Sequence, residues 1–381
     1  MFQFTRLQQL QGRGNESCFL FGPRQTGKST LLKKLFPKSP YYDLLSSDQF
    51  ERLFRRPSLL SEELIALSPK TSVIIDEIQK IPQLLDEVQR LIVDKNISFI
   101  LCGSSARKLR RAGANLLGGR ALRYELYPLV SKEIPDFDLL TALNNGMLPR
   151  HYGAKNIKLM MDAYIGVYLK EEILAEALTR NASAFIRFLD MAAFSNGEVA
   201  NFTNIARECG VSGPTVREYF QILEDTLIGR FLPSYRTRPK RRVIQSPKFY
   251  FFDVGIANAL MKRGKIEQGG ELFGRTLEHF LINEIQAHSH YSGIRYPVAF
   301  WRSASGLEID AVLGEHDVGI EIKGTLEVQL SHLRGMRAFR EEYRMKRSIV
   351  VSLDTHPRIV DGIEILPVKQ FLDELWGGRM L

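Results

Sequence analysis

The stretch GPRQTGKST at residues 22–30 decides the predicted fold of the amino-terminal part of the chain. Its first eight residues match the pattern G-x-x-x-x-G-K-[ST] at every defined position. An apolar run at 17–21 precedes it and an amphipathic pattern follows to residue 36, which predicts a strand, a glycine-rich turn and a helix. Such a turn directs backbone N–H groups at a phosphate, and the helix dipole adds to the attraction. The alternative is a glycine turn that arose by chance.

The residue types in this turn predict a nucleotide site. We expect Lys28 to reach the β- and γ-phosphates and the Ser29 hydroxyl to coordinate Mg²⁺. The residues predicted to bind the nucleotide are Gly22, Pro23, Arg24, Gln25, Thr26, Gly27, Lys28, Ser29 and Thr30.

Two further apolar runs end in polar residues. The run at 73–75 leads into Asp76 and Glu77, as is typical of a buried parallel strand. We expect Asp76 to hold the water shell of Mg²⁺ and Glu77 to orient or deprotonate the attacking water. The run at 99–102 leads to Ser104 and Ser105, either of which would report the γ-phosphate to the rest of the domain. The alternatives are a solvated acidic turn after the first strand and an ordinary helix cap after the second.

Residues 105–124 carry six Lys or Arg residues and no acid. A solvated helix face is the usual interpretation of such a run. The more specific hypothesis is an arginine that completes the nucleotide site of a neighbouring subunit. Arg120, which follows two glycines, is the first candidate and Arg107 the second.

The middle of the chain shows helical spacing at 155–194 and then a helix–turn–helix pattern at 202–226. Residues 226–250 carry seven Lys or Arg residues and no acid, with aromatic residues between them. A winged helix with a basic wing would bind a DNA backbone. The alternatives are a helix pair that packs between domains and a solvated basic hairpin. The predicted DNA contacts are Thr215, Arg217, Arg236, Arg238, Lys240, Arg241 and Arg242.

The carboxyl-terminal part carries acids at characteristic positions. A predicted helix at 276–287 holds Glu278, a strand at 306–312 holds Asp310, and a strand at 318–323 holds Glu321 and Lys323. Because strand side chains alternate, Glu321 and Lys323 share one face. This order is the pattern of PD-(D/E)XK nucleases, in which Asp310 and Glu321 would bind Mg²⁺ and Lys323 would offset charge in the transition state. The alternative is Glu and Lys alternating along an exposed strand.

The composition excludes several protein classes. The chain has 381 residues, of which 44% are hydrophobic and 25% charged, which excludes wholesale disorder and a coiled coil. No apolar run approaches the ~18–20 residues that span a bilayer, and residues 1–12 lack a secretory signal pattern. Three scattered cysteines fit a reducing compartment, so we expect a cytoplasmic protein with no membrane partner. The net charge of +9 is a weak indication of an anionic partner.

Taken together, these regions resemble a widespread bacterial and archaeal family of AAA-like ATP-binding proteins. Its members join a P-loop ATPase, a winged-helix segment and a domain of unknown function with a PD-(D/E)XK-like fold. The resemblance rests on GPRQTGKST at 22–30, VIIDEIQK at 73–80, CGSSARKL at 102–109, GGRALRYELYPL at 118–129, VSGPTVREYFQILEDTLI at 211–228, SPKFYFFDVGI at 246–256, GLEIDAVL at 306–313 and GIEIK at 319–323.

This resemblance implies an α/β protein with three domains. They are an AAA-like (RecA/AAA-like) parallel-sheet domain at 1–150, a helical and winged-helix domain at 151–265, and an α/β nuclease-like domain at 266–381. It also implies ATP at Lys28 and Ser29, Walker B roles for Asp76 and Glu77, and nuclease candidates at Glu278, Asp310, Glu321 and Lys323. An arginine donated between subunits implies a homo-oligomer, expected to be a hexameric ring.

Two functions follow as hypotheses. The first is an ATP-powered protein that binds and processes DNA, possessing a Mg²⁺-dependent nuclease-like domain for cutting DNA or recognising branched DNA. The second is a nucleotide-gated regulatory or defence switch whose nuclease-like domain only binds.

Overall fold

The computed structural model describes residues 4–10, 16–68, 71–105, 107, 109, 117–172 (backbone only from 170), 181–237 and 241–381. The described residues form two sheets joined by a mostly helical middle part that contains a two-stranded ribbon.

The amino-terminal sheet is parallel, with strand order β2-β3-β4-β1-β5. Its strands are β1 (Ser17–Phe21), β2 (Tyr41–Asp43), β3 (Ser72–Asp76), β4 (Ser98–Gly103) and β5 (Ala121–Glu125). The described helices beside it are α1 (Lys28–Leu35), α2 (Ser47–Arg55), α3 (Leu59–Leu64) and α4 (Leu84–Lys95). In β3, Ile74 packs into one apolar cluster while Val73 and Ile75 pack into another, so both faces of the sheet are covered. This explains why the central strands are continuous apolar runs rather than alternating ones.

The middle part begins with helices α5 (Leu139–Asn145) and α6 (Ile157–Ala163), followed by a π-helical segment (Tyr164–Glu172) and α7 (Ala182–Phe194). Helices α8 (Phe202–Cys209) and α9 (Gly213–Asp225) follow. As the sequence predicts, a turn at Gly210 joins them, with a left-handed φ of 65°. Ser212 caps α9, because its hydroxyl accepts a hydrogen bond from Thr215 N at 3.3 Å. These two helices therefore have the arrangement of a helix–turn–helix.

The carboxyl-terminal part packs helices on a mixed six-stranded sheet of order β12-β13-β11-β10-β9-β8. Its strands are β8 (Val298–Arg302), β9 (Glu308–Leu313), β10 (Val318–Ile322), β11 (Arg347–Ser352), β12 (Arg358–Val360) and β13 (Ile363–Pro367). Its helices are α11 (Glu271–Tyr291), α12 (Arg334–Arg340) and α13 (Val368–Trp376); α10 (Val254–Leu260) precedes them. Strand β10 pairs antiparallel with β9, which brings the two predicted acidic strands side by side.

Strands β6 (Gly229–Leu232) and β7 (Lys248–Phe251) form an antiparallel ribbon between the middle and carboxyl-terminal parts. The segment that connects them lies along edge strand β8: Tyr235 N donates to Phe300 O at 2.6 Å, and Ile244 N donates to Arg302 O at 2.9 Å. The described ends of the predicted basic wing are therefore held against the carboxyl-terminal sheet.

Helix α5 falls inside the predicted amino-terminal domain but packs elsewhere. Its Ala142 and Leu143 join the apolar cluster of α11 and the carboxyl-terminal sheet. Asn258 of α10 donates to Leu143 O at 3.1 Å, and Met147 N donates to Asp253 Oδ2 at 2.6 Å. Residues 139–148 therefore pack with the carboxyl-terminal and middle parts.

Candidate functional site

The glycine-rich turn lies between β1 and α1, at the carboxyl end of β1, which lies between β4 and β5 in the first sheet. Gly27, at the start of α1, has a φ of 93°, which side-chain-bearing residues rarely adopt. The Lys28 ammonium is buried and donates to Gly22 O at 2.7 Å and Pro23 O at 3.0 Å. The loop thus holds a positive charge between neutral carbonyl groups, where an anion would compete for it.

Ser29 and Asp76 meet across adjacent elements. The Ser29 hydroxyl donates to Asp76 Oδ2 at 2.6 Å, and the Tyr41 hydroxyl donates to the same oxygen at 2.5 Å. Burial and the Asp76 charge raise the pKa of Tyr41, so this phenol stays protonated and remains a donor. Tyr41 was missed by sequence reasoning, because a tyrosine at the start of a short strand has no distinctive pattern.

Glu77 is connected to the neighbouring strand end through Gln79. Glu77 has a left-handed φ of 60° and accepts a hydrogen bond from Gln79 Nε2. The same amide nitrogen lies 3.2 Å from the Ser104 hydroxyl, which accepts from it. A Cβ at position 103 would lie 2.3 Å from Gln79 Oε1, so Gly103 makes room for this amide. Sequence reasoning placed Glu77 and Ser104 correctly at the strand ends but missed Gln79 between them.

The two arginine candidates lie in different environments. Arg120 is exposed at the end of a short 3₁₀ turn. Arg107 is buried, and its Nη1 lies 2.6 Å from Asp225 Oδ2 of helix α9 in the same chain. This intramolecular pair contradicts a role for Arg107 in a neighbouring subunit, because its charge is engaged and out of reach. Lys108, Arg110 and Arg111 lie outside the described residues.

Arg6 ties the amino-terminal segment to the glycine-rich turn. Its Nη1 donates to Thr26 O at 2.5 Å, and its Nη2 donates to Tyr127 O at 2.6 Å. Its Nε lies 2.8 Å from Glu133 Oε2, a carboxylate with a fully buried side chain. Burial alone would lower the pKa of Arg6, but Tyr291 and Glu133 raise it overall. Nothing in the sequence around Arg6 indicates this role, since all its partners are distant in the chain.

The four predicted nuclease residues meet at one open cavity of about 490 Å³. Glu278 comes from α11, Asp310 from β9, and Glu321 and Lys323 from β10 and the residues after it. The Ile322 N–H donates to Asp310 Oδ2 at 2.7 Å, and Lys323 Nζ lies 2.5 Å from Glu321 Oε1. Sequence reasoning therefore identified side chains that the fold brings together.

Lys248 of the ribbon enters the same carboxylate group. Its Nζ lies 2.9 Å from Glu278 Oε1, 2.5 Å from Glu308 Oε1 and 3.9 Å from Asp310 Oδ1. The Tyr250 hydroxyl also donates to Glu278 Oε1, at 2.6 Å. Burial would lower the pKa of Lys248, but Glu278 and the other acidic groups outweigh it and hold the pKa well above its usual value. We call Lys248, Glu278, Glu308 and Asp310 the lysine–carboxylate cluster.

Crowding of buried acids perturbs this site. Burial, with the charges of Glu278 and Glu321, raises the pKa of Asp310 well above its usual value. Burial also raises the pKa of Glu321 to about 7, against the opposing effect of Lys323. Glu321 Oε2 is buried and has no hydrogen-bond partner among the described residues.

The two sites differ in how well they fit Mg²⁺. Ser29 and Asp76 supply adjacent hard oxygen atoms of the kind that Mg²⁺ prefers, so the nucleotide site fits the ion. At the carboxyl-terminal site the Lys248 ammonium lies among the carboxylates, so that arrangement does not fit a metal. Over the part of the chain that the structure describes, no group of three or more His, Cys, Asp or Glu is placed to hold a metal.

The predicted DNA contacts are dispersed. Arg217 is exposed on α9, with its guanidinium 4.6 Å from the centre of the Phe202 ring. Arg241 is paired with Glu341 and Glu342 of the carboxyl-terminal part, which corrects its assignment as an available DNA contact. Among the other predicted contacts, Thr215 is half-exposed, and Arg236 and Arg242 are exposed. Arg238 and Lys240 lie outside the described residues.

Two other basic residues of the 226–250 window are also engaged. Arg230 lies 2.7 Å from Glu125 Oε2 in a half-buried ion pair, and Lys248 lies in the lysine–carboxylate cluster. The high positive charge of this window in the sequence is therefore partly neutralised by contacts within the chain.

Comparison with known proteins agrees with the prediction of a nucleotide site at the glycine-rich turn. Three family models match consecutive parts of the chain: an AAA domain at 14–135, a domain of unknown function (DUF8612) at 136–267, and another (DUF4143) at 273–371. The match at 14–135 agrees with the AAA-like ATP-binding fold that the glycine-rich turn predicts. The other two models carry no functional description, so the carboxylate site has to be judged on its own geometry.

The chain is also similar to two curated proteins and to several solved structures. It is 26% identical over 366 residues to the uncharacterized proteins Rv2008c of Mycobacterium tuberculosis and Mb2031c of Mycobacterium bovis, covering 93% of this chain and 80% of each relative. The Walker-type ATPase PABY2304 of Pyrococcus abyssi is 14% identical, with a TM-score of 0.40 over 64% of this chain and 90% of that one. The Aeropyrum pernix ORC1 protein in complex with DNA is 14% identical, with a TM-score of 0.24 over 65% and 86%. With TM-scores below 0.5, neither solved structure shares the overall arrangement of this chain.

No helix within the described ranges has both the length and the apolar character needed to cross a membrane.

Proposed function

We propose that this chain hydrolyses ATP at the glycine-rich turn and uses the reaction to bind and process DNA. The observation that carries the ATPase is the convergence of Lys28, the Ser29–Asp76 pair and the Glu77–Gln79–Ser104 chain on adjacent strand ends. Those side chains supply a phosphate-binding charge, oxygen ligands and a carboxylate for the water.

Each residue has a defined task in this proposal. Lys28 leaves its loop carbonyls to pair with the β- and γ-phosphates, while Ser29 and Asp76 hold Mg²⁺. The metal ion neutralises phosphate charge when it is bound. Glu77 orients the attacking water, and Ser104 senses the γ-phosphate through Gln79.

We further propose that the site is completed by a second copy of the chain. Arg120 is exposed and unengaged by any ion pair found among the described residues, so it suits donation to a neighbouring site. An arginine of this kind stabilises negative charge that develops on the transferred phosphoryl group. A closed hexameric ring is the assembly we expect.

DNA is proposed as the partner because of the helix–turn–helix and the basic residues near it. Thr215 and Arg217 on α9, with Arg236 and Arg242, remain candidates for backbone contacts, as do Arg238 and Lys240. Such contacts give binding that weakens as salt concentration rises. The carboxyl-terminal cavity brings together the residue types of a nuclease at Glu278, Asp310, Glu321 and Lys323, and we propose DNA as its ligand.

A second candidate function is favoured by one observation. Lys248 occupies the carboxylate group where a nuclease would need a metal ion, so the carboxyl-terminal part would only bind. The chain would then act as a nucleotide-gated regulatory or defence switch.

The ATPase is tested by two substitutions in the nucleotide site. Lys28→Ala should lose nucleotide binding and hydrolysis together. Glu77→Gln should retain binding but lose hydrolysis by about 100-fold or more, since it removes the group that orients water. Steady-state phosphate release and binding of a fluorescent ATP analogue measure the two effects.

The matched control is Lys34→Ala, on the exposed face of the same helix, which should behave as wild type. Hydrolysis at the wild-type rate by Lys28→Ala would contradict the proposal.

A further inference from the structure

A second open cavity, of about 1070 Å³, lies in the middle part of the chain. Its walls come from helices α5, α6 and α10 and from the residues that follow α10 as far as Ile266. It shares no lining residue with the carboxyl-terminal cavity and lies outside the nucleotide site. We call this cavity the middle groove.

Close packing fixes the shape of the middle groove. A Cβ at Gly255 of α10 would lie 2.6 Å from Met161 Cε of α6 and 2.7 Å from Gly146 N, at the end of α5. The Asn144 side chain donates to Ile266 O at 2.9 Å and accepts from Ile266 N at 2.8 Å, which holds the segment after α10 against α5. The groove is therefore formed before any ligand binds.

Basic side chains line the middle groove. Its described lining holds a single acid, Asp162, and the four basic residues Lys158, Lys262, Arg263 and Lys265. Among the described residues, the only ion pair that these basic groups make is a long, exposed one, between Lys265 and Glu267 at 3.8 Å. The groove therefore carries positive charge that the chain leaves largely uncompensated, which attracts an anion.

Arg263 is half-buried in the middle groove, and its Nη1 donates to Asn258 Oδ1 at 3.1 Å. Burial lowers the pKa of Arg263, and the charge of Arg275 on α11 lowers it further. A half-buried guanidinium near a second cation is stabilised by an anion. Arg275 also lines the carboxyl-terminal cavity, so the middle groove lies near that cavity.

Lys262 has a left-handed backbone, with a φ of 52°. It follows the end of α10, where Lys262 N donates to Ala259 O at 3.0 Å and Arg263 N donates to Asn258 O at 3.0 Å. Helices that end with this pair of bonds favour glycine at this position, because a side chain is strained there. A lysine at such a position indicates a task for its ammonium group.

We propose that the middle groove binds the phosphates of a single strand of nucleic acid through Lys158, Lys262 and Arg263. Apolar side chains such as Ile157 and Met161 lie among these cations and would contact the sugars and bases. The described lining contains no aromatic ring on which a base could stack, so we expect little preference among bases. The proposal rests on the DNA binding in the proposed function and deepens it by adding a site apart from α9.

The shape of the middle groove favours a single strand. A concave cavity between packed helices admits one flexible backbone, whereas a duplex presents a broad convex surface that would reach only the exposed lysines. An acidic peptide would also match the charge. Nucleic acid is favoured because the groove lies near a cavity that holds the residue types of a nuclease.

The test is the binding of fluorescent oligothymidylate to the full chain over a series of salt concentrations, with EDTA present and nucleotide absent. The triple variant Lys158→Gln/Lys262→Gly/Arg263→Gln should bind about tenfold more weakly. The slope of log K against log salt should become shallower by about 2, since each lost phosphate contact removes about 0.7 for a single strand. Oligouridylate should show the same changes, because DNA and RNA share the phosphodiester, and the affinity for duplex DNA should change little.

Lys262→Gly alone separates ligand binding from folding. Its Tm should be at or above that of wild type, because glycine suits the left-handed backbone, yet the salt slope should fall by about 0.7. Arg295→Gly is the matched control, because Arg295 is an exposed basic residue with a φ of 51° that follows α11 and lies outside the groove. It should leave the affinity and the salt slope as in wild type.

Three results would overturn the proposal. They are a triple variant that binds oligothymidylate as wild type does, a duplex that loses as much affinity as the single strand, and poly-glutamate that displaces the probe from wild type more readily than unlabelled oligothymidylate. If wild type binds DNA and the groove substitutions have no effect, the middle groove fails and the proposed function stands. If wild type binds no nucleic acid at low salt, the DNA binding in the proposed function fails as well.

Discussion

Lys28 and Lys248 are both buried, yet their partners give them opposite properties. Lys28 is held by two neutral carbonyl oxygens, so its positive charge remains available to an incoming phosphate. Lys248 is held by carboxylates, so its charge is neutralised within the chain. The chemistry of a buried lysine is therefore decided by what surrounds it and not by its burial.

Glu321 gives a prediction about pH at the residue scale. Its folded-state pKa of about 7 lies above the ordinary value of 4.5, so the folded state binds its proton more tightly than the unfolded state does. The contribution of this proton to stability is complete below about pH 4.5 and is lost as the pH rises through about 7. Glu321→Gln cannot lose that proton, so its stability relative to wild type should improve by about 3 kcal/mol between pH 4.5 and pH 8.

Urea unfolding at several pH values measures this difference. Glu315→Gln is the control, because Glu315 is exposed on the turn between the same two strands and lies outside the cavity. If the difference in the free energy of unfolding between Glu321→Gln and wild type stays constant with pH, burial does not raise the pKa of the Glu321 carboxyl.

At the scale of elements, the amino-terminal segment connects the nucleotide loop to the residues that follow β5. Arg6 joins Thr26 of the loop to Tyr127 and Glu133, which follow the last strand of the first sheet. We expect Arg6→Met to weaken nucleotide binding by about tenfold, a loss of about 1.4 kcal/mol, because the loop carbonyl loses its donor. Binding of a fluorescent ATP analogue measures this effect.

The same change should lower the free energy of unfolding by about 3–5 kcal/mol, because it leaves Glu133 charged and buried. The double variant Arg6→Met/Glu133→Gln should recover most of that stability but not the nucleotide affinity. If the double variant also regains wild-type affinity, Arg6 acts only through Glu133 and not on the loop.

Some elements could be predicted from the sequence and others could not, for physical reasons. The strand, turn and helix at 17–35 follow from local pattern, and so do the acidic end of β3 and the position of Asp310 within β9. The basic run at 226–250 favours a DNA-binding wing from the sequence alone, whereas Arg230, Arg241 and Lys248 pair with acids far away in the chain. Arg6 and Tyr41 were missed for the same reason, since their partners are determined by tertiary structure.

At the scale of the whole molecule, Arg120 predicts cooperation between copies of the chain. Arg120→Ala and Lys28→Ala should each be nearly inactive alone, the first lacking the donated arginine and the second the phosphate-binding lysine. A 1:1 mixture forms some sites with both groups intact, so about one quarter of the wild-type hydrolysis rate should return.

The control for this mixture replaces Lys28→Ala with the double variant Lys28→Ala/Arg120→Ala, which can supply neither group and should restore nothing. Co-assembled chains that recover no activity in the first mixture would show that Arg120 does not act between subunits.

The central claim is that one molecule couples ATP hydrolysis to DNA. The most direct measurement is the steady-state rate of ATP hydrolysis by the wild-type chain at low salt, with duplex, forked, four-way-junction and single-stranded DNA compared in turn. We predict that at least one of these raises the rate several-fold, that added salt removes the effect because the contacts are to phosphates, and that Lys28→Ala abolishes it. An unchanged rate with every DNA, together with no DNA binding at low salt, would contradict the claim.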